Sequence, residues 1–392
     1  MKERILEEGG PFTLFGGEPL LVPVADLEDL WEWGMQKFGT NGIQTNGVLV
    51  SKEHIRLFKK YKVSVGISVD GPDELNNVRW QGTLESTRES TEKTHRSIEL
   101  LCAEGIPPSL IITLHRNNAT ADKLPRMNGW LKYLDEIGVR HARLHILEVD
   151  HQEVRRKYAL TPQENLHAFL NFARLERSLS GLRLDVFQDM RNMLLGNDSH
   201  ATCIWTACDP YTTRAVRGVE GNGQSSNCGR TNKDGIDFVK ANQEGYERYL
   251  ALYHPPQEFG GCKDCRFFLM CKGQCPGTSI NGDWRNRSEH CETWKTLFEH
   301  LERDFLDQGV IPLSVSSKRK EVERQITMRW ENQRNLYMHQ VLKTIDSDGT
   351  CRVPGHQFSR ETHGDSHGDH TDADYLQNHG DHSDHGDHND VA

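Results

Sequence analysis

The stretch Gly42–Val69, GIQTNGVLVSKEHIRLFKKYKVSVGISV, decides the fold. A short apolar run, Gly42–Thr45, leads through Asn46-Gly47 into Lys52–Tyr61, where apolar residues recur at three- and four-residue spacing. A second apolar run, Val63–Val69, follows at once. A helical period between two short apolar runs reads as strand, helix, strand. Outward from this unit the alternation repeats. Phe12–Phe15, Ser109–Leu114 and Arg143–Leu147 are further strand candidates; Ala25–Phe38, Ser86–Glu104, Asp122–Ile137 and Thr161–Arg174 are further helix candidates. Thr161-Pro162-Gln163-Glu164 opens the last helix with a capping box and a proline suited to the first turn. Repeats of this kind build an α/β fold around a parallel sheet covered on both faces. Met1–Glu8 reads as a helix ahead of the first strand: either an ordinary N-terminal helix or the end of a unit whose strand is missing.

A chain of 392 residues is too long for one small core and suggests at least two domains. It has no apolar run long enough to cross a bilayer and no signal-peptide pattern, so a soluble, cytoplasmic protein without a membrane partner is expected. A net charge of −10 argues against a nucleic-acid partner, which would call for concentrated positive charge. The strand–helix pattern fills residues 1–180, and 181–310 loosens into Gly-, Asn- and Cys-rich loops. Residues 311–350 hold a charged amphipathic helix, with Val322, Ile326, Trp330, Tyr337, Val341 and Ile345 on one stripe that packs on the body or on a partner. In 351–392, His363, His367, His370, His379, His382, His385 and His388 are interleaved with Gly, Asp and Ser. That composition builds no core, so a disordered tail is expected, either merely solvated or loosely metal-binding.

Eight of the ten cysteines lie between 203 and 291. The densest part is Cys262-x2-Cys265-x5-Cys271-x3-Cys275, followed by Cys291; upstream stand Cys203, Cys208 and Cys228. Loops this poor in apolar residues need a staple, and metal can supply one. A disulfide framework usually belongs to a short secreted chain. Two zinc sites remain open, although the x5 and x3 gaps are unlike a zinc ribbon. Four thiolates bind a cubane iron–sulfur cluster, so eight would fill two. Glycines at 260, 261, 273 and 277 let the backbone turn tightly around such a group.

Cys208-x14-Gly223-x4-Cys228, then Cys262-x2-Cys265-x5-Cys271-x3-Cys275, then Cys291 resembles the seven-cysteine SPASM pattern of radical S-adenosylmethionine (SAM) enzymes that modify peptides and proteins. The resemblance implies one auxiliary 4Fe-4S cluster on Cys208, Cys228 and Cys275, with Cys203 as fourth ligand. It implies a second on Cys262, Cys265, Cys271 and Cys291. Cys102 and Cys351 have no place in it; Cys102 is most simply a core residue. Leu14-Phe15-Gly16-Gly17-Glu18-Pro19-Leu20, after a strand, is similar to the family segment that holds the amino group of SAM. Gln44-Thr45-Asn46-Gly47 and Ser68-Val69-Asp70-Gly71-Pro72, with Arg79 downstream, resemble the next two segments in the same order. By that resemblance Gly16, Gly17, Glu18, Pro19, Thr45, Asn46, Ser68, Asp70 and Arg79 bind the cofactor, Ser68, Asp70 and Arg79 at its ribose and carboxylate. Read alone, GGEP and DGP could each be a turn. Thr113, Asn117 and Glu148, at later strand ends, are further pocket candidates.

The resemblance covers roughly residues 8–300 and implies a partial (β/α)6 barrel missing its first strand, followed by a loop-rich SPASM domain. The family's Cys-x3-Cys-x2-Cys, ligand of a third 4Fe-4S cluster that reduces SAM, should precede GGEP. No cysteine precedes Cys102. The expectation is a lost or miscalled N-terminal segment and a chain inactive by itself; the alternative is a degenerate protein. The chemistry implied is hydrogen-atom abstraction from a bound peptide by a 5′-deoxyadenosyl radical, with a flavodoxin or ferredoxin as electron donor. The leading expectation is a maturase that crosslinks or oxidises a ribosomally made peptide. The alternatives are a sulfatase-maturing enzyme that makes formylglycine, and a non-catalytic iron–sulfur scaffold. Sulfatase-maturing enzymes tend to carry an Asp beside the glycine-spaced cysteine, where Cys228 is followed by Gly229.

Overall fold

A computed structural model of the chain describes residues 1–149, 151–201, 203–209, 212–213, 216–226, 228 and 245–347. Helix α1 (Lys2–Glu8) leads into six strand-based units. These are β1 (Thr13–Leu14) with α2 (Val24–Phe38), β2 (Asn41–Thr45) with α3 (Lys52–Lys60), and β3 (Val63–Ser68) with α4 (Leu84–Ala103). They continue through β4 (Ser109–Leu114) with α5 (Leu124–Ile137), β5 (His141–Ile146) with α6 (Gln152–Tyr158) and α7 (Pro162–Glu176), and β6 (Arg183–Leu184) with α8 (Asp185–Leu194). The strands pair in chain order, β1-β2-β3-β4-β5-β6, and every pair is parallel. Such winding in one direction makes a barrel wall, whereas a doubly wound sheet would reverse its order at the centre.

The periodic pattern locates the core. Ile43, Val65, Ile67, Leu110, Ile112, Leu114 and Leu144 of the strands pack with Leu27, Trp31, Phe58, Leu101 and Leu131 of the helices. Local signals set the helix ends. Ser51 and His54 reciprocate in a capping box at α3, as Thr161 and Glu164 do at α7. Gly39 and Gly138, both left-handed, close α2 and α5.

The five strands read from the sequence are present, and a sixth extends the sheet past residue 180. Leu184 stands opposite Ala142. Arg183 and Asp185 interrupt the apolar residues here, so no apolar run shows in the sequence. The segment Ser317–Ile345 forms two helices, Arg319–Glu331 and Met338–Ser347, with Gln333 left-handed between them (φ 56°). Its stripe packs on the body: Val322, Ile326, Trp330 and Val341 are fully buried, and Trp330 lies against Tyr246 and Tyr249. Buried Asp198 fixes the start of the last helix, accepting hydrogen bonds from the N–H groups of Met338 (2.7 Å) and His339 (3.0 Å). Cys102 is half-buried in α4 against the core. Cys351 and the histidine-rich tail lie outside the described residues. Among the described residues no helix is long and apolar enough to cross a membrane.

Candidate functional site

The sequence motifs fall in the loops at the carboxyl ends of successive strands. After β1, Gly16 and Gly17 take φ values of 86° and 54°, a region that side chains avoid. No atom lies within 4 Å of where a Cβ would sit at either position, so the loop is open to a ligand there. Glu18 turns back toward the sheet. Its Oε1 accepts from the Thr45 hydroxyl (2.6 Å) and the Leu20 N–H (3.0 Å), and its Oε2 from the Asn46 N–H (2.8 Å). Pro19 begins the short turn Pro19–Leu21 behind it. Glu18, Thr45 and Asn46 thus form one clamp joining the β1 and β2 loops. A carboxylate has about four acceptor positions, which leaves Glu18 capacity for an ammonium group. The Asn46 side chain is used locally, its Oδ1 accepting from the Val48 N–H (2.9 Å).

After β3, Ser68 accepts from the Gln44 amide (2.9 Å). Asp70 is 3% exposed. Its Oδ1 accepts from Arg79 Nη2 (2.9 Å) and the Thr113 N–H (2.8 Å), and its Oδ2 faces His115 Nε2 at 3.5 Å. Its N–H donates to Asn76 Oδ1 (2.7 Å), and its carbonyl accepts from Asn118 Nδ2 (2.7 Å). Burial pushes this carboxyl up, but the Arg79 guanidinium and then His115 outweigh burial and hold it well below the usual carboxylate range. Asp70 is therefore a buried brace that aims Arg79. His115 and Asn118, both fully buried, were not legible as site residues. Their only signal was the polar run HRNNAT directly after an apolar strand. Thr113 contributes its backbone N–H, and the Asn117 N–H donates to His115 Nδ1 (3.2 Å).

In the cysteine-rich region, Cys262, Cys265, Cys271 and Cys291 line one cavity, together with Arg287 and Lys295. The Cys265 N–H donates to the Cys262 carbonyl (3.0 Å); Cys271 ends the short helix Phe268–Cys271, and Cys291 begins the helix Cys291–Asp307. Burial pushes the Cys262 thiol up to about 12, with Cys265 and Cys291 adding to the shift; burial raises Cys271, Cys265 and Cys291 as well. Four buried thiols around one cavity make a donor set that ionises against a strongly positive centre. A single tetrahedral zinc, with Zn–S near 2.3 Å, would need sulfurs roughly 3.8 Å apart. Among the described residues no three His, Cys, Asp or Glu side chains are gathered tightly enough for one ion. Four cysteines around one cavity are the kind of donor set that a four-iron cluster takes.

Cys203, Cys208, Cys228 and Cys275 are each buried. Cys203 is left-handed (φ 50°) and opens the turn Cys203–Thr206; the Cys208 carbonyl accepts from the Tyr249 hydroxyl (2.5 Å). Lys272, pushed down to about 8 by burial, joins the two cysteine sets: its Nζ donates to the carbonyls of Trp205 and Leu269, both at 2.8 Å. A second cavity lies between the sheet and these loops. Arg143, His145 and Glu148 line it from β5 and beyond, Asp189 from α8, and Cys275 and His290 from the cysteine loops.

Residues 3–127 match the family model of the Radical SAM superfamily. The chain is similar to the cysteine-type anaerobic sulfatase-maturating enzyme of Clostridium perfringens strain 13, with 25% identity over 337 residues, 76% of this chain and 84% of that one. The cysteine-type enzyme of Clostridium novyi is 22% identical over 75% of this chain and 80% of its own. The serine-type enzyme of Bacteroides thetaiotaomicron is 23% identical over 68% of each. Among solved structures, native anSMEcpe with bound AdoMet and Cp18Cys peptide superposes with a TM-score of 0.58 at 20% identity, over 78% of this chain and 88% of that one. That likeness is one of fold. The relatives overturn the leading expectation of a maturase that crosslinks or oxidises a ribosomally made peptide, since they are named for sulfatase maturation. The cysteine spacing carried no information about the substrate. The strand-end loops and the match over residues 3–127 together identify this part of the chain as a radical SAM domain.

Proposed function

We propose that this protein is a sulfatase-maturating radical SAM enzyme with a SPASM-type auxiliary domain, acting on a Cys or Ser of a peptide segment to make formylglycine. The observation that carries the reading is the similarity of the chain over three quarters of its length to such enzymes, together with a four-cysteine cavity in its second half. Gly16, Gly17, Glu18 and Pro19 receive the amino group of SAM, with Thr45 and Asn46 fixing Glu18. Arg79, aimed by Asp70, meets the carboxylate, and Ser68 faces the ribose. Cys262, Cys265, Cys271 and Cys291 hold one 4Fe-4S cluster, and Cys203, Cys208, Cys228 and Cys275 hold another. With a third cluster on a Cys-x3-Cys-x2-Cys segment to reduce SAM, the bound cofactors would supply the one-electron chemistry that removes a hydrogen atom from a substrate carbon. Gly229, where related enzymes tend to place a carboxylate, lies outside the described residues. Glu148 lines the second cavity and is the carboxylate we assign to take the substrate proton. A small flavodoxin or ferredoxin is the reductant, in the cytoplasm, where thiols stay reduced.

Anaerobic reconstitution followed by iron and sulfide counts tests the cofactors: about eight irons per chain are expected for two cubanes, and zinc in their place overturns the assignment. A peptide carrying a sulfatase's target cysteine should bind more tightly when SAM is present. Since no cysteine precedes Cys102, turnover is measured on the chain extended by a Cys-x3-Cys-x2-Cys segment, with hydrazide capture of the aldehyde. An extended, fully loaded chain that makes no aldehyde overturns the reading.

Glu18→Gln separates clamp from ligand. The amide keeps one acceptor oxygen and presents donors to the Asn46 N–H or the Thr45 hydroxyl. Charge-assisted bonds of this kind are worth about 1.5–3 kcal/mol, so SAM affinity measured by equilibrium dialysis should fall by roughly tenfold or more. Unchanged affinity would remove Glu18 from the cofactor site.

A further inference from the structure

We infer that Arg287 is a positioning residue that sets the reduction potential of the cluster held by Cys262, Cys265, Cys271 and Cys291. The inference rests on the cofactor assignment proposed above and concerns a residue outside the cysteine pattern. Among the residues lining that cavity are two cations, Arg287 and Lys295, and no carboxylate. Arg287 is held from both sides. Its N–H donates to the Gly260 carbonyl (2.8 Å), and its own carbonyl accepts from the Ile280 N–H (3.0 Å). Its Nη1 donates to the carbonyls of Gly261 (3.0 Å) and Gln257. The guanidinium is thereby fixed with its Nε–H buried and without a hydrogen-bond partner. Leaving a buried charged donor unpaired is costly, so this N–H calls for an acceptor.

Four of the residues lining that cavity are cysteines, whose sulfurs are acceptors once ionised. Arg287 and the Cys291 thiol line the same cavity. An iron–sulfur cube bound by four thiolates carries net negative charge, which grows on reduction. Positive charge and N–H donors at its sulfurs stabilise the reduced state more than the oxidised one, and so raise the potential. Lys295 adds a second positive charge to the same lining. The step concerned is the gain of one electron from a dissolved reductant such as dithionite. No bond in the protein is made or broken.

The test is a potentiometric titration of the anaerobically reconstituted chain, followed by electron paramagnetic resonance, for wild type, R287M, R287Q and R287K. Iron and sulfide are counted in each sample. R287M and R287Q should keep wild-type iron while one midpoint falls by the equivalent of about a tenfold change in the reduction equilibrium, roughly 59 mV for one electron. R287K, which keeps the charge but loses the fork, should fall by less. An unchanged midpoint in variants that retain iron overturns the inference. So does loss of iron in all three, which would make Arg287 a structural strut. A wild-type chain that takes up no iron fails the cofactor assignment instead, so the two failures are told apart.

Discussion

Asp70→Asn lowers the thermal stability of the protein by about 3–5 kcal/mol at neutral pH, the cost of breaking one half of a buried pair. The pair is Asp70 with Arg79, whose side chains are 4% and 16% exposed. Asparagine fills the same volume and still offers one oxygen to the Thr113 N–H and to Arg79, but it removes the charge that balances the guanidinium. It also turns amide hydrogens toward His115, which stands 3.5 Å from Oδ2. The difference between wild type and variant depends on pH in a fixed sense. The folded carboxyl lies below its ordinary value of about 3.9, so its contribution is complete above that value. As pH falls further, the unfolded chain takes up a proton that the folded chain refuses, and the contribution drains away. Thermal unfolding followed by circular dichroism should therefore show a gap that is constant from neutral pH to about pH 5 and narrows toward pH 3. SAM affinity should drop in the same variant, because Arg79 loses its fixed position. A variant with wild-type stability at neutral pH would make Asp70 an ordinary turn residue.

Asp70 also marks the limit of what the sequence makes legible. A run of polar residues at a strand end identifies a site, and the order of GGEP, QTNG and SVDGP along the chain identifies the kind of cofactor. Whether a given carboxylate touches the ligand or braces a neighbour depends on His115 and Asn118, which arrive from the next strand. The barrel wall is legible for a related reason. Strands β2 to β5, of five or six residues, and helices of nine to twenty carry several periods each, and β1 is flanked by Phe12 and Phe15. At β6 the apolar residues are interrupted by Arg183 and Asp185, and the strand leaves no trace. The break at Gln333 is hidden because 332–337 is as polar as the helix surfaces around it, so the stripe reads through the turn. Substrate choice is the least legible part. The second cavity draws Arg143, Glu148, Asp189, Cys275 and His290 from segments more than a hundred residues apart, and no local pattern joins them. Basic residues are hidden in the same way. Lys272, Arg248 and Arg287 look like ordinary surface charges in the sequence, and acquire their roles only when loop carbonyls close around them.

Arg248 gives the second large effect. It is fully buried, and its partners are backbone carbonyls: Nε donates to Trp284 (2.6 Å), Nη1 to Lys272 (3.2 Å), and Nη2 to Gln274 (3.0 Å) and Asn286 (3.3 Å). Those carbonyls belong to the two loops that carry Cys271, Cys275 and Arg287, so one guanidinium sets the spacing between them. Arg248→Met removes every donor at once. Each orphaned buried acceptor costs about 1–3 kcal/mol, offset in part because a buried charge is also removed. The net loss is about 3–5 kcal/mol, a large share of the ordinary 5–15 kcal/mol of folding stability. Iron retained after reconstitution should fall by at least about half, since the cluster formed by four thiolates needs its loops in register. Arg248→Lys should not restore it, because one ammonium cannot span four carbonyls held in a planar fork. Limited proteolysis separates this from general unfolding: the cysteine loops should become cleavable while the strand–helix body, which supplies none of these four carbonyls, stays protected. If Arg248→Met keeps wild-type iron and protease resistance, the carbonyls must find donors elsewhere, and the loops are held by their cysteines alone.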